Sequence, residues 1–225
     1  MIDYHIHSDY SDGDQSLKEI RSTAIRRNLT SIAITDHITS EGKFMYLRHT
    51  KPPRPFIEYI KNIKKISMDS KIKIYAGVEI SDFLPPNAPI LKDFSKVDLI
   101  LIETQKPRGI NPKSFDPFQR AVFIKNQFTD IPVGLAHPTI DFIEKNIKKF
   151  TKNEIFLELN GDKISRYNSN IDRTFNRLKR IISHHPKLKL SIGSDAHQIY
   201  MIGGVKQIWN FVLYNDFLDR LILYP

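Results

Sequence analysis

The feature that most restricts the fold of this chain is a recurrence. Seven short apolar runs, each ending in a residue with a polar or charged tip, are separated by stretches of helical periodicity. The runs are 2–7, 31–35, 73–80, 97–103, 132–136, 154–160 and 188–193. Amphipathic helices are predicted between and after them at 16–28, 56–68, 113–128, 139–150, 171–184 and 205–213. Strands alternating with helices in this way make parallel β-α units. Such units wind into an open sheet or close into a barrel, and the tips decide between the two. They read His5/His7, Asp36/His37, Glu79, Glu103, His137, Asn160 and Asp195/His197. An open sheet gathers its polar residues at one switch point, whereas a barrel brings every strand end to one rim. The pattern therefore predicts a single-domain α/β barrel spanning residues 1–225, with no linker, repeat or low-complexity tract dividing it.

The first run carries the clearest chemistry. Ile2, Tyr4 and Ile6 alternate with Asp3, His5 and His7, so in a strand both imidazoles leave one face together. Ser11-Asp12-Gly13 follows as a turn that offers a carboxylate. Two nitrogens and an oxygen in this arrangement look like one edge of a metal site. The chain has no cysteine, which leaves His, Asp and Glu as ligands and excludes thiolate sites and disulfides. Asp36 and His37 point opposite ways on a regular strand, so Asp36 is a candidate for orienting the site and is counted with the catalytic set. Asp3, deeper on the histidine face, is a second orienting candidate, and Asn160 a candidate contact for a ligand carboxylate or substrate oxygen.

The net charge of +9 favours anionic partners, either phosphorylated small molecules or nucleic acid. Cations cluster after the strands: Lys43, Arg48, Lys51 and Arg54, then Lys106 and Arg108, then Lys163 and Arg166. Arg108 and Arg166 are selected for bidentate phosphate recognition. No apolar run reaches the length of a membrane span. The amino terminus runs directly into a strand, so no export signal and a cytoplasmic location are expected. His49, His184 and His185 read as ordinary surface histidines, Trp209 and Phe211 as core, and Arg173, Arg177 and Arg180 as a solvated helix face.

Taken together, His5-x-His7 with Ser11-Asp12-Gly13, Thr35-Asp36-His37, Gly77-Val78-Glu79, Ala136-His137-Pro138 and Ser194-Asp195-Ala196-His197 resemble the PHP family, named for polymerase and histidinol phosphatase. The resemblance implies a distorted (β/α)7 TIM-like barrel and a hydrolase that splits phosphate esters with two or three divalent metals: Zn, Mn or Fe, with Mg as an alternative. It implies that His5, His7, Glu79 and Asp195 hold one metal and that Glu79 and His137 hold a second. Asp12, His37 and His197 would hold the third, with His197 also in the catalytic set. The family places a histidine where this chain has Gln105, two residues after Glu103. Either Glu103 or Gln105 then supplies an oxygen in its place, or the second site is weak. An oxygen donor moves preference from Zn toward Mn or Mg.

The expected function is hydrolysis of a small phosphorylated metabolite or nucleotide. The alternatives are a 5'-3' exonuclease or oligonucleotide-degrading phosphodiesterase of the same family, and a catalytically weakened barrel serving as a nucleic-acid-binding or assembly subunit.

Overall fold

The protein was analysed as a computed structural model describing residues 1–39, 41–44, 54–81, 85, 87–104, 116–166 and 171–223, with the backbone alone at 165 and 166. Its main strands are β1 (Ile2–Ile6), β2 (Ser31–Ile34), β4 (Lys73–Ile80), β5 (Leu99–Glu103), β6 (Val133–Ala136), β7 (Phe156–Asn160) and β8 (Leu190–Gly193). They pair in the order β1-β2-β4-β5-β6-β7-β8, every pairing parallel. Beyond β8 the chain returns to β1. The His7 amide donates to the Ala196 carbonyl at 3.0 Å and the Ala196 amide to the His5 carbonyl at 3.3 Å. The sheet is thus a nearly closed seven-stranded barrel, as the strand tips predict.

An unpredicted two-residue strand, β3 (His37–Ile38), continues β2 after a break at Thr35 and Asp36. Its register is uninterrupted: Ile34 pairs with Ala76 and His37 with Glu79, three residues on in both chains. The local signals that start the helices lie in the sequence. Helix α1 (Leu17–Arg26) opens on a capping box, Ser16 Oγ accepting from the Glu19 amide and Glu19 Oε2 accepting from the Ser16 amide. Helix α2 covers Phe56–Met68. Helix α3 (Pro117–Gln127) starts later than the predicted 113. The Asp116 carboxylate caps the amides of Phe118 and Gln119, and Pro117 occupies the first helical position. Helix α4 (Ile140–Lys152), capped by Thr139, lies on β7, and α6 (Ile171–His184) packs against α4. The six-residue α5 (Gly161–Arg166) was not predicted, and α7 (Lys206–Tyr214) closes the fold.

Every β1 side chain is buried, as are all those of β2, β6, β7 and β8. Strands covered on both faces read as continuous apolar sequence, and here the polar exceptions mark the site. Among the described residues no helix is long and apolar enough to cross a membrane.

Candidate metal centre

Charged side chains are rarely fully buried unless paired. Asp3, His5, His7, Asp36 and Glu79 are all wholly inaccessible, and Glu158, Asn160, His137 and Asp195 nearly so. Among the described residues, histidines and carboxylates meet at the carboxyl ends of the strands in three contiguous groups, with donor atoms inside each group lying within 4.8 Å of one another.

The first group joins His5 and His7 of β1, Glu79 of β4 and Asp195 of the loop after β8. The Nε2 atoms of His5 and His7 are 3.0 Å apart, and Glu79 Oε2 lies 3.0 Å from the former and 3.4 Å from the latter. Asp195 Oδ1 stands 3.3 Å from His7 Nε2. The second group shares Glu79, whose other oxygen lies 3.3 Å from His137 Nε2, and adds Glu103 Oε1 at 3.4 Å from the same nitrogen. In the third, Asp12 Oδ2 lies 3.1 Å from His197 Nε2 and 3.7 Å from His37 Nε2, while Asp12 Oδ1 is 3.5 Å from His7 Nδ1. All nine residues selected from the sequence as ligands therefore fall into these groups, and Glu79 and His7 each belong to two of them.

Three buried carboxylates brace this arrangement. Asp36 does not face the ligand groups. Its Oδ1 accepts from the amides of Ser8 and Ser11 at 2.8 and 3.1 Å, and its Oδ2 from the Ser8 hydroxyl at 2.6 Å. That corrects its place in the catalytic set: Asp36 positions the turn that carries Asp12. Gly13 completes the turn, since a Cβ there would meet the His7 carbonyl oxygen at 2.5 Å. Asp3 does the same work across the barrel, accepting from the Ser194 amide at 2.9 Å, the Ser194 hydroxyl at 2.7 Å and the Gly203 amide at 2.7 Å. It anchors the residue before Asp195.

Glu158 is the third brace, and the sequence reading passed over it. Its Oε1 lies 2.7 Å from His5 Nδ1 and 3.3 Å from Asn160 Nδ2, and its Oε2 accepts from the His137 amide. A carboxylate only accepts, so Nδ1 of His5 carries the hydrogen and Nε2 is left facing Glu79. Gly193 of β8 makes room for this contact, because a Cβ there would collide with both Glu158 and His5. The available signal was Glu158 standing two residues before Asn160, on the same face of one strand. Asn160 itself contacts Glu158 and caps α5, its Oδ1 accepting from the Lys163 amide at 3.1 Å. Two ligand-bearing residues, His137 (φ 35°) and Asp195 (φ 57°), adopt left-handed backbone, a strain found most often at functional sites.

Without metal, protons carry the compensating charge. Burial alone would lower the pKa of His7, but Asp195 and Glu79 override it and push it up to about 10. Burial likewise opposes protonation of His137, and Glu79, Glu103 and Asp195 raise it to about 9. His37 goes the other way, lowered by burial to about 4. Burial would raise Asp12, Glu79 and Asp195, yet the neighbouring histidines hold all three well below the usual carboxylate range.

Of the cations selected from the sequence, Lys163 reaches this centre, its Nζ 3.4 Å from Asp195 Oδ2. Arg54 is held against the adjoining turn, 3.3 Å from Asp9 Oδ1 and 3.7 Å above the Tyr10 ring. Lys43 pairs with Glu41 on the surface. Arg48, His49, Lys51, Gln105, Lys106 and Arg108 lie outside the described residues, as does the side chain of Arg166. Arg177 departs from the solvated face expected of α6: it grips Glu144 of α4 through two hydrogen bonds of 3.1 and 2.6 Å and Asp141 through one of 2.6 Å. Phe211 is buried as expected, with Trp209 packed against the same core.

Comparison with known proteins agrees with this architecture. The family model described as PHP domain matches residues 3–129, more than half of the chain. The DNA polymerase/3'-5' exonuclease PolX of Bacillus subtilis is 24% identical over 218 residues, covering 91% of this chain. The chain spans about a third of that relative, 35% of its length. The crystal structure of histidinol phosphate phosphatase from Lactococcus lactis, complexed with zinc, L-histidinol and phosphate, superposes with a TM-score of 0.65. The identity is 16%, covering 95% of this chain and 93% of the other.

Proposed function

The chain belongs to the PHP domain family, and on that premise we propose that it hydrolyses phosphate esters of small phosphorylated molecules or nucleotides with divalent metals held at the barrel rim. One observation carries this reading: among the described residues, three donor groups built from histidines and carboxylates are joined through Glu79 and His7, the central one fully buried and the outer two partly so. The residues fit metal. His7 Nδ1 and Glu79 Oε1 are buried without a hydrogen-bond partner, a cost that a cation offsets. His5, His7, Glu79 and Asp195 are assigned to one metal and Glu79, Glu103 and His137 to a second. Asp12, His37 and His197 are assigned to the third, which His7 adjoins.

Divalent ions bound there neutralise the anionic ester and acidify water near neutral pH. The chain's own residues do the rest. Glu158 orients His5, Asp36 and Asp3 hold the Asp12 and Asp195 loops, and Lys163 presents a cation to the phosphate beside Asp195. His197, 31% exposed at the mouth, is placed to exchange protons with solvent. Zinc is one candidate metal, and the oxygen-rich second group suits manganese or magnesium. The relationship to PolX, together with the +9 charge, favours a second reading, phosphodiester cleavage in an oligonucleotide.

The test is metal analysis of the purified protein followed by Mn-supplemented assays with p-nitrophenyl phosphate, histidinol phosphate, nucleoside bisphosphates and labelled single strands. Bound metal and turnover of a monoester support the first reading, and strand degradation without monoesterase activity supports the second. No metal and no turnover would overturn both. Activity that survives His5→Ala or Asp195→Ala would overturn the ligand assignment.

A further inference from the structure

Beside the metal centre lies a cleft that the phosphoesterase chemistry does not use. It has a volume of about 250 Å³ and sits between the carboxyl end of β7 and the first turns of α4 and α6. Asn160 and Lys163 stand in its wall, and Lys163 Nζ is also the cation 3.4 Å from Asp195, so cleft and metal centre share a boundary. The floor is apolar: Ile143, Leu159 and Leu178 are each 3% exposed or less, and Ile164 of α5 forms a partly exposed side. The cleft is held open by construction. Arg177 of α6 clamps Glu144 and Asp141 of α4, setting the distance between the two helices that flank it.

The polar groups around this floor are already paired. Both Glu158 oxygens serve His5, Asn160 and His137, the Asn160 amide serves Glu158 and Lys163, and Asp141 Oδ1 serves Arg177. Thr139 Oγ accepts from the Phe142 amide. Among the described residues an occupant therefore meets an apolar floor, with the Lys163 cation at the shared boundary and the exposed Asp141 carboxylate in the wall. The volume lies just under the roughly 300–1,000 Å³ of pockets for drug-sized ligands. It admits one ring or a short branched chain.

We propose that this cleft seats the leaving group of the substrate, a compact, uncharged and largely apolar alcohol, while its phosphate lies at the metal centre beside Lys163. The proposal rests on the phosphoesterase reading and narrows it to monoesters of a defined shape.

The test pairs turnover with a measurement that needs none. Ile164→Trp fills the cleft and should raise KM for phenyl phosphate about tenfold, the scale of a lost small hydrophobic fit, while the inhibition constant of inorganic phosphate stays unchanged. Ile164→Ala enlarges the cleft and should shift preference from phenyl toward 2-naphthyl phosphate, a result available even if the tryptophan variant folds poorly. Phenylphosphonate, which cannot be hydrolysed, should move the methyl resonances of Ile143 and Ile164 in the zinc-loaded full chain. Normal turnover with an unaltered KM in both variants and silent methyls would overturn the cleft and leave the phosphoesterase reading standing. Methyl shifts without turnover of any ester would overturn that reading and keep the cleft as a binding site.

Discussion

The two outer ligand groups of this barrel are built oppositely. One, after β1 and β2, gathers three imidazoles and a single carboxylate: His7, His37, His197 and Asp12. The other, at the ends of β4, β5 and β6, gathers two carboxylates and one imidazole: Glu79, Glu103 and His137. Nitrogen-rich sets suit zinc, and oxygen-rich sets suit manganese or magnesium. The bracing differs too. The nitrogen-rich group hangs on a turn clamped by Asp36, whereas the oxygen-rich group is steadied by one hydrogen bond from the His137 amide to Glu158. The two groups lie on one rim and share the central group between them, so donors of different character stand side by side.

The strongest way to break this contrast is at the shared ligand. Glu79→Gln should cost on the order of 10³-fold in kcat/KM. Metal analysis should show loss from the central and oxygen-rich groups while the nitrogen-rich group keeps its ion. Uniform loss would mean that the groups do not act separately. Next, in chelator-stripped protein, Glu103→Ala should reduce manganese-supported activity roughly 10–100-fold and spare zinc retention, while His197→Ala should do the reverse. Equal losses of both metals in the two variants would remove the chemical distinction. Glu158→Gln lies between the groups and should weaken metal affinity about tenfold or more by releasing His5 from its tautomer and loosening His137. Titration calorimetry reads the affinity, and the ¹⁵N shifts of His5 in metal-free protein read the tautomer.

Proton linkage provides a gentler probe. His7 and His137, pushed up to about 10 and 9, hold protons below those values in the metal-free protein and must release them to bind metal. Affinity should therefore rise with pH between 6 and 8, about tenfold per unit for each proton released, whereas His37, lowered to about 4, adds nothing to that slope. A flat calorimetric profile would contradict the protonated ground state. The smallest effect on turnover is expected at Asp36. Asp36→Ala leaves the buried Ser8 amide and hydroxyl without their acceptor and should cost about 1–3 kcal/mol of stability in denaturant unfolding. The kcat of the fully loaded enzyme should stay within about tenfold, as a positioning residue allows and a catalytic one does not.

How much of this was legible beforehand varies by residue. Nine ligand candidates could be named, because polar strand ends are local properties and the motifs standing there resemble those of the PHP family. The Ser16 cap and the 56–68, 73–80 and 171–184 segments were readable for the same reason. The α3 start was misjudged because Asp116 and Pro117 set it locally and the preceding polar residues look equally helical. The place of Glu158 and the partners of Asp36 were not legible. Each depends on which partner lies opposite across the barrel, and Glu158 reaches His5 over 153 positions of sequence.

The sequence by itself determined the β-α order, the chemistry at each strand end and the absence of thiolate ligands, all of which follow from residue type and short-range period. Only the tertiary structure decided which donor atoms meet, that His7 is shared between two groups, that Glu158 braces His5, and which amides Asp3 and Asp36 hold. It also decided that an apolar cleft opens beside Lys163. Those outcomes depend on barrel closure, which brings β1 against the end of β8 and so joins residues that no local pattern relates.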